Sequence, residues 1–440
     1  MNNLKLTRKR IVVVGGGFAG LNFVEKLSND NYYSITLIDR NNYNFFVPLI
    51  YQVATGFLET SNISYPFRKL FRRSRNVRFR LGTLLKVDAE NHTCHLDNGE
   101  VPYDYLIFAT GSETNFFSNV NIAMNAIPMK TLDDALNMRN RLLQSIEQAC
   151  IVKEKMAQRK LLTIVVAGGG PTGVEIAGVM AELRKFIIKK DYPELVSSMG
   201  DIHLIEGSSR LLVSMSKKSH REAYSALRSL GVKITLNAFV KDFHDDKVIL
   251  SNGTTIQSKN LIWAAGVTAK TYDGIPPTSI GRGNRILVDE HNCVKGSHDI
   301  FAIGDGCLQL SDPEFPDGHP QLAQVAIQQG RNLASNFIAL ADGKPWKVFR
   351  YSDKGSLAII GRNRAVADII HPSFHVGGFP ALLIWLFVHL TSLISYNNKA
   401  KTLYNWIAAY FTRDQSLRMI IRPDKINKKN PEKVVEEMPL

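Results

Sequence analysis

Two segments of the sequence share one pattern of residue types, in which a β-branched run is followed by glycines spaced as G-x-G-x-x-G and then by a helix-compatible stretch. They are IVVVGGGFAG, residues 11–20, and IVVAGGGPTG, residues 164–173. In such a strand–turn–helix the first glycine permits the tight turn, the second lets the backbone approach a pyrophosphate, and the third allows close packing of helix on strand. The glycines at these positions are Gly15, Gly17, Gly20, Gly168, Gly170 and Gly173. Because the pattern occurs twice, it predicts a duplicated dinucleotide-binding fold.

An acidic residue follows each glycine turn at the end of a strand-like run. Asp39 lies 19 residues after Gly20, where a carboxylate can accept hydrogen bonds from both ribose hydroxyls of a bound nucleotide, although it could instead only open a turn. Glu206 lies 33 residues after Gly173, which predicts a longer intervening helix and loop. A carboxylate there would repel a 2′-phosphate and favours NADH over NADPH; Arg210 nearby weakens that inference.

Three further strand-like runs end in small residues; the first two occupy equivalent places late in each half, and the third follows the second half. They are YLIFATG (residues 105–111), LIWAAG (residues 261–266) and DIFAIGDG (residues 299–306). The last run predicts that the first domain resumes after the second has been inserted, and its acid could reach a second set of cofactor hydroxyls. Each run could also be a buried parallel strand with no part in binding. The nucleotide contacts predicted on these runs are Ala109, Thr110, Gly111, Ala265, Gly266, Gly304 and Asp305.

The composition is that of a globular protein of two or three domains, with 440 residues and a net charge of +14 that favours an anionic partner. Four cysteines occur, none in a CxxC or Cys/His ligand spacing, so we expect reduced thiols and no metal site. The basic cluster at residues 67–80 has no nucleic-acid recognition motif around it. The N-terminus lacks an apolar signal segment, so we expect the protein to stay on the side where it is made.

The C-terminal part changes character, because residues 369–398 contain no Asp, Glu, Lys or Arg. The core, FPALLIWLFVHLTSLISY, is followed by a stretch with an aromatic-rich amphipathic face, and both favour an interfacial anchor over a buried or dimer helix and over a membrane span. The face comprises Leu403, Trp406, Ile407, Tyr410 and Phe411. Cations suited to an anionic lipid surface follow it, namely Arg413, Arg418, Arg422, Lys425, Lys428 and Lys429.

The ordered set GGGFAG, ATG, GGGPTGVE, AAGV and AIGD resembles the flavoproteins with two dinucleotide-binding domains, over residues of about 10 to 330. FVPLIYQVATG (residues 46–56), AQVAIQQG (residues 323–330) and the apolar-aromatic C-terminus resemble, more specifically, the type II NADH dehydrogenases. That resemblance implies a bound FAD at the first turn, NADH as the substrate at the second, and a membrane quinone as the acceptor. Disulfide reductases of this fold need a dithiol that the sequence lacks.

The resemblance also implies roles for particular residues. Pro48 and Leu49 would lie beside the isoalloxazine ring, and Glu175 would lie where the nicotinamide meets the flavin. Gln324 and Gln328 would lie at the quinone pocket, and their i, i+4 spacing places them on one helical face. Simpler alternatives are a solvated face for the glutamines and a helix-dipole contact for the glutamate.

The sequence thus predicts an α/β protein with two Rossmann-like dinucleotide-binding domains, the second inserted in the first, and a C-terminal amphipathic helical membrane anchor. The predicted boundaries are residues 1–115 and 276–370 for the first domain, 116–275 for the second and 371–440 for the anchor. The predicted activity is NADH:quinone oxidoreduction at the lipid surface of the inner membrane, on its cytoplasmic side. Sulfide:quinone oxidoreductase, soluble NADH oxidase and a non-catalytic flavin-binding protein are the alternatives, and a homodimer is left open.

Overall fold

A computed structural model describes residues 8–370, 373–412 and 418–421. The first part of the chain forms short strands and helices around one parallel sheet. Its elements are β1 (Lys9–Val14), α1 (Phe18–Lys26), β2 (Tyr33–Asp39), β3 (Tyr43–Phe45), α2 (Ile50–Ala54), α3 (Thr60–Ile63), β4 (Ser64–Pro66), α4 (Phe67–Leu70), β5 (Val77–Leu81), β6 (Leu84–Asp88), β7 (Thr93–Leu96), β8 (Gly99–Pro102), β9 (Tyr105–Phe108) and β10 (Glu113–Thr114).

The middle part repeats this arrangement around a second sheet. Its elements are α5 (Val120–Asn125), β11 (Ile127–Pro128), α6 (Leu132–Ile151), α7 (Lys155–Leu162), β12 (Ile164–Ala167), α8 (Pro171–Leu183), α9 (Lys189–Asp191), β13 (Ile202–Ile205), α10 (Lys217–Ser229), β14 (Val232–Thr235), β15 (Val240–His244), β16 (Lys247–Leu250), β17 (Thr255–Gln257), β18 (Asn260–Trp263) and β19 (Val267–Thr268).

The last part returns to the first sheet and then builds a small antiparallel sheet and two helices. Its elements are β20 (Ile286–Val288), β21 (Ile300–Ala302), β22 (Cys307–Gln309), α11 (Ala323–Ala341), β23 (Ser356–Gly361), β24 (Arg364–Ile369), β25 (Phe374–Gly377), α12 (Gly378–Ser392) and α13 (Tyr396–Thr412).

The two large sheets are both parallel and five-stranded. The first has the order β21-β9-β1-β2-β5 and the second the order β11-β18-β12-β13-β14. Residues 11–14 of the central strand β1 are all buried. Ile11 and Val13 lie in one core with side chains of α1 and α11, and Val12 and Val14 lie in another with side chains of β6, β7 and β8. Strand β21 pairs with β9 in parallel, so the chain re-enters the first sheet after completing the second. This α/β architecture follows from the two strand–turn–helix segments.

The first domain is closed by helix α11, which packs along α1. Phe337 of α11 contacts Phe23 of α1 edge-to-face at 5.5 Å, and its carbonyl accepts a hydrogen bond from the Tyr33 hydroxyl at 2.7 Å. A Cβ built on Gly330 would overlap the carbonyl oxygen of Ala19. The glycine therefore sets how closely α11 approaches the helix that carries the first glycine turn.

The apolar C-terminal stretch folds as a strand, a 15-residue helix and the start of another helix. The break falls at Gly377 and Gly378, where Gly378 has a φ of +70°. Among the described residues, no helix is both long and apolar enough to cross a membrane. Of the predicted tail cations, Arg418 pairs with Asp191 at 2.8 Å, and the others lie outside the described residues.

We expect Gly330→Ala to destabilise the protein by about 1–3 kcal/mol, because the added methyl group must push α11 away from α1. In an exposed helix the same substitution would stabilise the protein. The sign of the change in the free energy of unfolding therefore tests whether α11 and α1 approach each other closely. Urea unfolding measures the change, with Gly207→Ala as the control, since a Cβ there has its nearest neighbour at 4.0 Å. A Gly330→Ala variant as stable as the wild type would contradict the packing.

Candidate active site

The first glycine turn is built from close backbone contacts on one side and open space on the other. A Cβ on Gly15 would overlap the Ala109 carbonyl, and one on Gly20 would overlap the Gly15 carbonyl, whereas a Cβ on Gly17 would meet no atom within 4 Å. Helix α1 begins after Gly17 with no capping side chain among the described residues, so its first amides are available to an anion. The turn fits the pyrophosphate of a dinucleotide.

Asp39 ends β2 beside this turn. One carboxylate oxygen accepts from the Gly16 amide at 2.7 Å and the other from the Asn41 amide at 2.7 Å. Burial raises the pKa of Asp39, and these two hydrogen bonds oppose the rise. Asp39 therefore both holds the turn and lies at the cleft where a ribose would bind.

An open cleft of about 1310 Å³, part of it solvent, runs from the turn along the carboxyl ends of the first sheet. This is the edge at which open α/β sheets bind their ligands. Most of the residues predicted to bind the first nucleotide line the cleft. They are Gly15, Gly17, Asp39, Ala109, Thr110, Gly111, Gly304 and Asp305. Gly20 lies instead beneath the turn, against the Gly15 carbonyl.

A polar network at the far end of the cleft was not predicted from the sequence. Lys130 Nζ donates to Ser112 Oγ at 2.7 Å, and Ser112 Oγ donates to Asp305 at 2.7 Å. Lys130 also lies 3.7 Å from the Asp305 carboxylate. The lysine precedes the capping box of Thr131 and Asp134 that starts α6, and nothing in that local pattern indicates a side chain that reaches another domain. The network adds a cation to the cleft and orients Asp305.

The second glycine turn repeats the geometry of the first. A Cβ on Gly168 would overlap the Ala264 carbonyl and one on Gly173 the Gly168 carbonyl, whereas Gly170 faces open space. Glu206 follows β13 and accepts hydrogen bonds from the Gly169 amide at 2.5 Å and from the Ser208 amide at 2.8 Å.

Ala265 and Gly266 follow β18 at the same edge of the second sheet as this turn. The Gly266 carbonyl accepts from the Asn115 amide at 3.1 Å, beside the paired strands β10 and β19. The two turns thus present the same kind of anion site in each domain.

Glu175 lies one turn into α8 and is only 8% exposed. Its carboxyl accepts from the Ile359 amide at 3.4 Å. Burial raises its pKa to about 8, while the Ile359 amide and the Trp385 indole oppose the rise. Because a neutral carboxyl adds little to a helix dipole, the simple dipole role is disfavoured, and Glu175 has the properties of a group that can hold and release a proton near neutral pH.

Pro48 and Leu49 lie in a short turn of 3₁₀ helix, Val47–Leu49. Leu49 is fully buried in the core, and neither of the two lines the cleft. Val47 lines it instead. In the described structure the position next to the cleft therefore belongs to the neighbouring valine, because the turn directs Leu49 inward.

Gln324 and Gln328 lie on one face of α11, but neither lines the cleft; Ala326 between them does. Gln324 donates to the Gly355 carbonyl at 3.0 Å and accepts from the Lys354 amide at 3.1 Å. Gln328 donates to the Ser352 carbonyl at 2.9 Å and accepts from the amide of the same residue at 3.0 Å. Both amides therefore hold residues 352–355 against the helix.

The cysteines lack the features of a thiolate redox centre. Cys307 is buried beside the cleft, and burial raises its pKa to about 11; Cys293 is half-buried, and burial raises its pKa to about 12. Both thiols remain protonated at neutral pH, whereas a reactive cysteine needs a lowered pKa. This disfavours sulfide chemistry of the kind that needs reactive cysteines near a flavin.

Comparisons with known proteins bear on the whole chain. Residues 9–330 match the pyridine nucleotide-disulphide oxidoreductase family, and residues 354–414 match the NDH2 C-terminal domain. A type II NADH:quinone oxidoreductase of Mycobacterium tuberculosis is 35% identical, over 92% of this chain and 89% of the relative. The type II NADH:quinone oxidoreductase of Haemophilus influenzae is 28% identical over 82% and 87%.

Among solved structures, NDH2 from Plasmodium falciparum in complex with NADH has a TM-score of 0.85 at 22% identity, covering 94% of this chain and 100% of that one. At this identity the likeness establishes the fold.

We expect Glu175→Gln to be more stable relative to the wild type at pH 8 than at pH 5, by several kcal/mol. Between a pKa of about 4.5 in the unfolded chain and about 8 in the folded one, unfolding releases a proton, so the wild type loses stability as pH rises through this window. Urea unfolding at both pH values measures the difference. The exposed Glu314→Gln is the control, and a pH-independent difference for Glu175→Gln would contradict the raised pKa.

Proposed function

The chain belongs to the type II NADH:quinone oxidoreductase family, and we propose that it passes two electrons from NADH, through a bound FAD, to a membrane quinone. The observation that carries the proposal is the pair of matching glycine turns, each with a carboxylate bound to a turn amide, at the carboxyl ends of two parallel sheets. The first turn opens onto an extended cleft along the carboxyl ends of its sheet.

FAD is proposed for the first cleft. The amides at the start of α1 would hold its pyrophosphate, Asp39 would accept from its adenosine ribose, and Asp305 would accept from the hydroxyls of its ribityl chain. When bound, the flavin supplies the ability to accept a hydride and pass on two electrons. Lys130 holds Asp305 in place through Ser112 and keeps positive charge at that end of the cleft.

NADH is proposed for the second turn. One carboxylate oxygen of Glu206 accepts from the Gly169 amide and the other from the Ser208 amide. Their remaining lone pairs suit ribose hydroxyls, and the negative charge repels a 2′-phosphate. Arg210, two residues after Ser208, is exposed. It forms no ion pair with Glu206 among the described residues. We therefore propose a preference for NADH over NADPH.

Quinone binding is proposed beside α11, where the two glutamines hold residues 352–355. In this arrangement Gln324 and Gln328 act by positioning that segment, and either amide could exchange its backbone partner for a quinone carbonyl. Glu175 is proposed as the group that holds a proton for delivery when the quinone is reduced. Its pKa of about 8 keeps it protonated at neutral pH.

A lipid surface is proposed as the partner of the C-terminal helices. Large apolar side chains of α12 and α13 are exposed, which is unusual for a surface that stays in water. They include Phe379, Leu383, Phe387, Leu403, Tyr404, Ile407 and Phe411. A homodimer that covers the same face is the alternative occupant. Four free cysteines fit a peripheral protein on the cytoplasmic side of the inner membrane.

An anaerobic two-step assay tests the function. The purified protein is mixed with NADH while the flavin absorbance is followed, and a short-chain quinone is then added. We expect bleaching in the first step and recovery in the second. Bleaching without recovery would indicate that the electron acceptor is oxygen or a protein and not a quinone. The absence of flavin would refute the proposal.

In the same assay we expect Gln328→Ala to raise the quinone KM about tenfold while NADH-driven bleaching keeps its rate. The variant frees the segment at Ser352, whereas both glycine turns keep their contacts. Steady-state kinetics with quinone and stopped-flow bleaching measure the two halves. Asn332→Ala, which removes a weaker 3.3 Å contact one turn further along α11, is the control. An unchanged quinone KM and kcat would show that the proposed role is wrong.

We expect the double variant Leu383→Ser, Phe387→Ser to lose at least tenfold of its affinity for anionic lipid vesicles, because burial of each side chain stabilises by about 1.5–3 kcal/mol. Co-sedimentation with vesicles measures it. Phe239→Ser is the matched control, since Phe239 is 61% exposed on the second domain. Unchanged vesicle binding together with a smaller sedimenting species would indicate the homodimer instead.

A further inference from the structure

A second cavity lies on the opposite edge of the second sheet from the glycine turn. It is lined by the first residues of three neighbouring parallel strands, Ile164 of β12, Ile202 of β13 and Asn260 of β18. It shares no lining residue with the nucleotide cleft. Because nucleotides bind at the carboxyl ends of such strands, this cavity is separate from both nucleotide sites.

The cavity has the wall of a site for an apolar ligand. It is partly open to solvent, so a chain can enter it from the surface. Its wall is mostly aliphatic and comes from helices α6, α7 and α8. The side chains that dominate it are Leu142, Ile146, Leu161, Leu162, Met180 and Leu183.

One cation in this apolar wall has no hydrogen-bond or ion-pair partner among the described residues. Arg139 of α6 lines the cavity and is only 7% exposed. Its Nε is buried with no hydrogen-bond partner among the described residues, and no described carboxylate lies within ion-pair distance. Burial lowers the pKa of Arg139, and the more distant Glu59 opposes that shift only in part. Since arginine stays charged in proteins, the cavity wall carries a positive charge that no described carboxylate neutralises by an ion pair.

The other polar groups in the wall are engaged. Arg184 donates to the Gly200 and Gly231 carbonyls at 3.1 and 3.3 Å, and Arg418 pairs with Asp191. The Asn260 amide donates to the Leu161 carbonyl at 2.7 Å. No Asp or Glu lines the cavity. Among the described residues Arg139 therefore lacks a counterion, and an aliphatic wall lies beside it.

We propose that this cavity binds a long-chain carboxylate of the fatty-acid class, with its carboxylate on the Arg139 guanidinium and its alkyl chain along α6 and α8. The planar guanidinium matches a carboxylate with two parallel hydrogen bonds. The alkyl chain replaces water along the aliphatic wall.

The site lies at the remote ends of two elements that reach the redox region. Ala54 and Thr55, at the end of α2, line the cavity, and Met180 lies on the same helix as Glu175. A bound chain would thus contact both the element that follows the 3₁₀ turn and the helix that carries the buried carboxyl.

Calorimetry on the flavin-loaded full-length protein tests the proposal, with the protein held in an amphipol so that no free detergent competes. The probes are decanoate, 1-decanol and decyl phosphate. We expect decanoate to bind saturably with one molecule per chain, and 1-decanol to bind at least tenfold more weakly. We expect Arg139→Met to weaken decanoate binding at least tenfold, and the surface control Arg78→Met to leave it unchanged.

A melting measurement keeps the result interpretable if Arg139 only supports the fold. Without ligand, Arg139→Met should melt no lower than the wild type, because it removes an unpaired buried charge and keeps the side-chain length. Decanoate should raise the melting temperature of the wild type and not of the variant.

Three outcomes overturn the assignment. Equal binding of 1-decanol and decanoate would show a purely apolar site, as for a neutral quinone tail. Tighter binding of decyl phosphate than of decanoate would show that the site recognises a phosphate headgroup instead of a carboxylate. A lower melting temperature for Arg139→Met with unchanged decanoate binding would give the arginine a structural role.

Discussion

The hydrogen bond from a turn amide to the carboxylate at the end of the next strand is the contact on which the nucleotide sites depend. Asp39 accepts from the Gly16 amide and Glu206 from the Gly169 amide. Each hydrogen bond fixes the conformation of a glycine turn. Without it, the glycine backbone would be free to adopt other conformations. With the turn fixed, the first amides of the following helix point into open space, where a phosphate can approach. The same carboxylate lies where a ribose would bind, so one residue determines both the shape of the turn and the chemistry beside it.

The second constraint is how the C-terminal region is held between the two domains. Strand β23 packs on α8 so closely that a Cβ on Gly178 would overlap the Ile360 carbonyl. On the other side, Trp406 of α13 donates to Gln52 of α2 at 2.7 Å, and Asn398 donates to the Ser64 carbonyl at 2.9 Å. The C-terminal region is therefore attached to the first and the second domain at once.

The sequence predicts features that neighbouring residues determine. It does not predict side-chain contacts that depend on a segment distant in the chain. The glycine turns were predictable because three glycines and one strand-end acid determine them, and the return of the chain to the first sheet because residues 299–306 repeat a strand pattern. The partners of Gln328 were not predictable, since they lie on a loop 24 residues away. Lys130 reaches an acid on another element. The burial of Leu49 depends on the 3₁₀ turn at Val47–Leu49, which the local sequence does not specify.

Burial has opposite consequences for the charge of two ionisable side chains outside the glycine turns. Glu175 becomes neutral, whereas Arg139 stays charged. Glu175 resolves its burial by keeping a proton, which is why its pKa rises to about 8 and why it can serve as a proton reservoir without a counterion. Arg139 has no such option, because a guanidinium does not lose its proton at any pH that the protein survives. An unpaired buried charge is strongly destabilising, so a guanidinium without a described counterion is the group that the proposed anion would stabilise. The aliphatic wall beside it then selects the kind of molecule that can bring that anion in.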